Sequence, residues 1–375
     1  MRSRRLAPTL LSLAIAFTAL DAAAQLDTDG DGYLDDWETN GYDEDGDGVI
    51  DVPLHILGFD PLRKDIAVGY VWMDQGAGEV LSHQPSQAVL DAVVESFARA
   101  PVANPDGSTG ITLHLKDFGS VAHDTDLNPV WTEFDAIMDP RFSRAERTIY
   151  RRMLNAHGYS GGTSSGIARG IPASDYIESL GRWSTNPGTF EQRAGTIMHE
   201  LGHTLGLRHG GPDNTNYKPN HLSVMSYFNQ VVWLIKDGQP YLDYERFNLN
   251  ALNETSLDEL EGLDVLGFDF PLRGYGVRYF SGGTAVTKGR AAHRRVDWDN
   301  DGNRTEASVG VDLNSDGFRG TLRANFPEWA NLIYDGGSIG AGSEAKSRRM
   351  VEQLVEPELT EEMDWEIRRN TVEVW

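Results

Sequence analysis

Residues 199–210 read HELGHTLGLRHG, from His199 to Gly210. On an α-helix, residues four apart stand on one face, about 6 Å apart along the axis. The imidazoles of His199 and His203 in that arrangement reach a single ion at zinc–nitrogen distances of about 2.0–2.1 Å. Ile197, Met198, Leu201 and Leu205 form the buried side of the same helix, and Thr189-x-x-Gln192 is a capping box that opens it. Gly206 tolerates left-handed backbone, so the helix ends there and the chain turns to bring His209 back as a third ligand. Three protein ligands leave a fourth position open, the property that separates catalytic from structural zinc. Glu200, one residue around the helix, cannot point with the ligands but can face water at the open position, where a general base belongs.

Working outward, the surrounding chain alternates strand-like and helix-like segments. Lys64 to Met73 and Ile111 to Phe118 read as strands, as do Thr163 to Ile171 and Asp175 to Leu180. Ser86 to Ala100 places Val89, Leu90, Val93, Val94 and Phe97 on one helical stripe before Pro101. Ser143-x-x-Glu146 is a second capping box, and it predicts a helix holding Ile149, Tyr150, Met153 and Leu154 that ends at Gly158. The expectation is an α+β fold with a mixed sheet and an active-site helix. His157 and His221 flank these elements and read as structural residues, not ligands.

The acidic residues are patterned. Asp27, Asp29 and Asp31 alternate, Gly32 supplies a sharp turn, Tyr33 offers a carbonyl and Glu38 closes the twelve-residue calcium-loop pattern. A second copy runs through Asp43, Asp45, Asp47, Gly48, the Val49 carbonyl and Asp51, with Leu54 where the closing glutamate would stand. Between Asp27 and Asp51 there are eleven acidic residues and no lysine or arginine. Their flanks do not read as paired EF-hand helices, and the tandem resembles thrombospondin type 3 repeats. Two further loops near the C-terminus, Asp297-x-Asp299-x-Asp301-Gly302 and Asp312-x-Asn314-x-Asp316-Gly317, keep oxygen donors at positions one, three and five.

The whole chain has 375 residues and a formal net charge of −24, which argues against nucleic acid or an anionic membrane as partner. Arg2, Arg4 and Arg5 precede an apolar run, and Ala22-Ala23-Ala24 offers a small-residue cleavage site, so residues 1–24 read as a signal peptide. Secretion, extracellular or periplasmic, without a remaining membrane anchor follows. The chain contains no cysteine, so an exported form has no disulfide to staple it.

HELGHTLGLRH resembles the extended zinc motif of the metzincin metalloproteases, and Ser223-Val-Met225-Ser-Tyr227 resembles their Met-turn. The layout is similar to that of uncharacterised exported bacterial members with aspartate-rich repeats. The resemblance implies a metzincin-like mixed twisted sheet flanked by calcium loops. It also implies catalytic Zn2+ on His199, His203 and His209, with Glu200 as general base. Met225 is then a hydrophobic base beneath the ligands, and Tyr227 a donor to the reaction's oxyanion. An edge strand at Thr163 to Arg169 is expected to pair with substrate backbone. Gly210 departs from the residues that follow the third histidine in better-known subfamilies and leaves the subfamily open. The division expected is residues 1–24 as signal, 25–60 as calcium repeats, 61–285 as catalytic domain and 286–375 as a C-terminal region with calcium-like loops. The function expected is that of a monomeric, secreted zinc endopeptidase acting on proteins or peptides, with Ca2+ as a structural cofactor. The alternatives are a calcium-dependent surface or adhesion protein with structural zinc, and a zinc hydrolase of non-peptide amides.

Overall fold

The computed structural model describes residues 26–264, 270–342 and 358–374. The signal segment expected at residues 1–24 lies outside the described residues. From the N-terminus, helices α1 (Asp35–Asn40) and α2 (Leu54–Leu57) precede strand β1 (Asp65–Met73). Then follow α3 (Gln87–Ala98), β2 (Thr112–Val121), α4 (Val130–Met138), α5 (Arg144–Ile149) and β3 (Arg151–Asn155). Next come β4 (Gly166–Ala168), β5 (Asp175–Glu178) and the long helix α6 (Phe190–Thr204).

These strands form one sheet in the order β2-β1-β3-β5-β4. β2, β1, β3 and β5 run parallel, and β4 is an antiparallel edge strand beside β5. β1 is nearly continuously apolar because both its faces are covered. Ile66, Val68 and Tyr70 pack with Val89, Leu90, Val93 and Phe97 of α3 and with Ala194, Ile197, Met198 and Leu201 of α6. Ala67, Val71 and Met73 turn to the other face, toward Phe134 and Met138 of α4 and toward Ile149. Each large apolar side chain buried in these layers contributes about 1.5–3 kcal/mol, and together they fix α6 against the sheet.

Several of the anticipated elements changed extent, and the strand expected over Ile111 to Phe118 runs on to Val121. The helix opened by Ser143 has its capping box, but it ends at Ile149 and residues 151–155 are a central strand. The spacing of Ile149, Tyr150, Met153 and Leu154 fits either form. What decides is tertiary: the Arg152 guanidinium is held by Asp175 at 2.8 and 2.9 Å and by Asp139 at 2.7 Å, so a charged pair of residues sits inside the sheet. The strand expected over Thr163 to Ile171 is ladder-paired to β5 only at Gly166–Ala168, and that expected over Asp175 to Leu180 ends at Glu178.

Beyond α6 the chain is largely irregular. Strands β6 (Leu234–Lys236) and β7 (Gln239–Tyr241) form a hairpin, and β8 (Leu252–Asn253) pairs with β11 (Thr321–Leu322). β9 (Val277–Ser281) and β10 (Thr284–Lys288) form a second hairpin, and the domain boundary expected at residue 285 falls inside it. Helix α7 (Glu361–Arg369) leads into β12 (Val372–Val374), which adds to β10. No helix among the described residues is long and apolar enough to cross a membrane.

Candidate metal centre

α6 starts at the capping box predicted for it, with Thr189 Oγ1 accepting from Gln192 N and the Gln192 side chain answering. His199 and His203 project from its last turns, and Gly206, at φ +90°, reverses the chain to return His209. All three imidazoles are buried. His203 Nε2 stands 3.1 Å from His199 Nε2 and 3.1 Å from His209 Nε2. His199 Nδ1 faces the Val224 carbonyl and His203 Nδ1 the Leu207 carbonyl, each at 2.9 Å. A carbonyl oxygen only accepts, so these Nδ1 atoms carry the protons and the Nε2 atoms present lone pairs to one another. Burial pushes the His199 pKa down, and burial followed by the His199 ring pushes that of His203 far down, so added protons do not resolve the clash. A cation does: nitrogens about 2.0–2.1 Å from a tetrahedral zinc lie about 3.3 Å apart. The residues present fit a metal ion.

A fourth group, missed in the sequence, completes the cluster. Glu358 places Oε2 3.5 Å from His199 Nε2 and from His209 Nε2, and Oε1 3.8 Å from His203 Nε2. The four side chains His199, His203, His209 and Glu358 could hold a metal ion together. Burial alone would raise the Glu358 carboxyl; what holds it well below the usual carboxylate range is positive charge among the imidazoles, foremost at His209. The segment carrying it lies along the sheet edge: Ser165 N donates to Leu359 O at 2.8 Å, and Ser164 bridges Thr360 antiparallel.

Glu200 is fully buried, and neither of its carboxylate oxygens has a hydrogen-bond partner among the described residues. Burial, then the Glu358 charge, push its pKa well above the ordinary value. Gly166 of β4 lies over it; a Cβ there would fall 2.7 Å from Glu200 Oε1. Met225 packs against α6, its sulfur so close to Gly202, the residue before His203, that a Cβ there would lie 2.5 Å from it. Tyr227 reaches the same point, its hydroxyl 3.3 Å from His209 Nε2 and 3.3 Å from Glu358 Oε2. Gly210 is explained by space, since a Cβ would meet the Asp213 carboxylate at 2.8 Å and crowd the Thr215 carbonyl. His221 pairs with Glu328 at 2.8 Å, away from the cluster.

All four acidic loops share one geometry. The first carboxylate accepts from the glycine N–H at position six: Asp27 from Gly32 at 3.0 Å, Asp43 from Gly48 at 2.8 Å, Asp297 from Gly302 at 3.0 Å, and Asp312 from Gly317 at 2.9 Å. The fifth accepts from position seven: Asp31 from Tyr33, Asp47 from Val49 and Asp316 from Phe318 at 2.8 Å, Asp301 from Asn303 at 2.7 Å. Glycine is required at position six because φ there lies between +87° and +95°. Asp27, Asp29 and Asp31 converge, as do Asp43, Asp45 and Asp47. Asp51 accepts from Glu44 N at 2.8 Å and braces the second loop.

In the first loop Glu38 is buried with both oxygens unpartnered among the described residues, and it converges with Asp31 and with Asp65 of β1, which the sequence pattern did not indicate. Burial, then Asp31 and Asp29, push Glu38 up to about 10, and burial above all raises Asp29 to about 7. Lys64, whose ammonium lies on the Asp29 carbonyl, and His114, 2.6 Å from Asp65, leave the two Glu38 oxygens unpartnered among the described residues, and a hard cation with oxygen ligands suits such a knot of carboxylates. In the C-terminal pair, Glu259 accepts from Trp298 N at 2.8 Å and Glu254 from Leu313 N at 2.6 Å, so a distant glutamate buttresses each loop.

No family model matches the chain, and no curated protein matches it. Among solved structures it is similar to a chain in "Structure of a chaperone-substrate complex", at 16% identity and a TM-score of 0.29, over 49% of this chain and 29% of that one. The protein thus spans less than a third of that chain's length.

Proposed function

We propose that the protein is a secreted zinc-dependent endopeptidase of the metzincin type. The observation that carries this reading is the convergence of three buried imidazoles, those of His199 and His203 with Nε2 lone pairs turned inward, beside a buried glutamate that has no hydrogen-bond partner among the described residues. Zinc, when bound by His199, His203 and His209, supplies Lewis acidity toward a peptide carbonyl and makes water more acidic. Glu200 then receives the attacking water's proton at its carboxylate and passes it to the leaving nitrogen. The Tyr227 hydroxyl donates to the oxyanion as it forms. Peptides as substrates are supported by the segment leading into β4, where Ser164 and Ser165 already pair with residues 360 and 359 in the way an extended peptide would pair. Calcium in the aspartate loops takes the place of disulfides as the staple of an exported chain.

Glu358 favours a second reading, in which four protein ligands make a closed, structural metal site. The two separate on one variant. Under the protease reading Glu358→Ala keeps its metal and raises kcat/KM on a peptide library, because a carboxylate is removed from the substrate's position. Under the structural reading the same variant loses metal and gains no activity. Chelating the metal must abolish cleavage in the first case; persistence of cleavage in metal-free protein overturns it.

A further inference from the structure

A second cluster of nitrogen donors lies at the C-terminal ends of the parallel strands β1, β2 and β3. Glu79 and His83 belong to the segment between β1 and α3, His123 follows β2 by two residues, and His157 follows β3 by two. One ligand atom from each of the four lies within 4.8 Å of all the others. The Glu79 carboxylate is 2.7 Å from His157 Nδ1, 3.3 Å from His123 Nε2 and 3.5 Å from His83 Nε2. His83 is 1% exposed, and neither its Nε2 nor that of His123 has a hydrogen-bond partner among the described residues. Three imidazoles facing one carboxylate cannot all be satisfied by it, since a single negative charge supports about one imidazolium.

The surroundings are built to hold this arrangement. Gly76 N donates to Glu79 Oε2 at 2.6 Å and Asn186 Nδ2 to Oε1 at 2.8 Å, which orients the carboxylate. Two glycines leave room for the rings: a Cβ on Gly76 would fall 2.5 Å from His123 Nε2, and one on Gly181 2.6 Å from His157 Nδ1. We infer that Glu79, His83, His123 and His157 form a second transition-metal site, of the zinc class, distinct from the histidines of α6. Three imidazole nitrogens with one carboxylate suit zinc or cobalt and disfavour calcium, which takes oxygen. Four protein ligands close the coordination sphere, so the site is structural.

It pins together the ends of three adjacent strands. It also bears on α6, because Arg193 of that helix donates to His83 O at 2.7 Å and Gln84 O at 2.8 Å while paired to Glu178 at 2.9 Å. The loop between β1 and α3 is thereby tied to the metal on one side and to the histidine-bearing helix on the other.

The test is metal stoichiometry on the purified full chain, loaded with zinc in the presence of calcium and freed of excess by gel filtration. The wild type should retain about two zinc ions per chain, and His203→Ala about one. His83→Ala combined with His123→Ala should also retain about one, now at the α6 histidines. Cobalt(II) added to His203→Ala should give the visible bands of a four-coordinate ion, and zinc should raise that variant's Tm. Glu79→Gln serves where the double histidine variant fails to fold. The inference is overturned if His203→Ala binds neither zinc nor cobalt, or if the double variant and Glu79→Gln both retain the full wild-type complement. None of these outcomes depends on peptide cleavage.

Discussion

Glu200 and Tyr227 differ in what their removal should take away. Glu200→Ala leaves the three histidines and puts the strongest helix former into α6, so metal content and Tm should stay close to wild type. Peptide cleavage should fall by about 10²–10⁴, the usual contribution of a positioned proton carrier. His203→Ala should lose that metal and the activity together. A Glu200→Ala protein that cleaves at the wild-type rate rules out the proton-transfer role. Tyr227→Phe removes one hydroxyl that also touches Glu358; the expectation is retained metal with kcat lower by about 10²–10³. Equal kcat in steady-state assays would leave the tyrosine with packing alone. At this scale the sequence was informative wherever ligands are close along the chain: His199, His203 and His209 converge as their spacing implied, and Tyr227, expected from the resemblance alone, reaches His209. It was silent on Glu358 and Asp65, which reach their clusters through the tertiary fold and carry no local pattern. His157 read as structural, because its partners Glu79 and His123 are remote in sequence.

Helices and strands were legible in proportion to how local their causes are. The capping boxes at Ser143 and Thr189 formed as written, and Ser86 caps α3 by accepting from Val89 N. β3 was not legible, since its two arginines are made tolerable by Asp175, Asp139 and the Ile333 and Tyr334 carbonyls, contacts that only the assembled sheet provides. The same closeness of packing governs α6. Gly195 stands against the Gln230 carbonyl, and a Cβ there would overlap it. Glycine to alanine inside a helix normally stabilises by about 1 kcal/mol. Gly195→Ala should instead destabilise by about 1–3 kcal/mol, as overpacking does, seen as a lower urea midpoint with unchanged slope. A midpoint equal to or above wild type would mean that the helix has room to move away.

For the molecule as a whole, the dominant quantity is a net charge of −24 with no cysteine to offset the repulsion covalently. The first aspartate loop is joined to the sheet by Tyr33 Oη donating to Ile149 O at 2.6 Å and Asp65 N donating to Asp31 Oδ2 at 2.6 Å. If the loop holds calcium as proposed, loss of the ion should therefore weaken the core, not merely loosen a surface loop. A calcium-selective chelator should lower Tm, calcium but not zinc should restore it, and Asp29→Ala should blunt the response. An unchanged melting curve would remove calcium from the account of stability. The pairing of residues 359 and 360 along the edge beside β4 carries a kinetic consequence at this scale. A ligand carried on the same chain is present at an effective concentration on the order of millimolar, and dilution does not lower it. If the chain is the peptidase proposed above, such a tethered competitor raises the KM of every substrate by one common factor and leaves kcat untouched. Comparing wild type with Glu358→Ala on unrelated peptides should yield the same KM ratio for each, at any protein concentration. Ratios that vary with the peptide would mean that the tail closes only part of the groove.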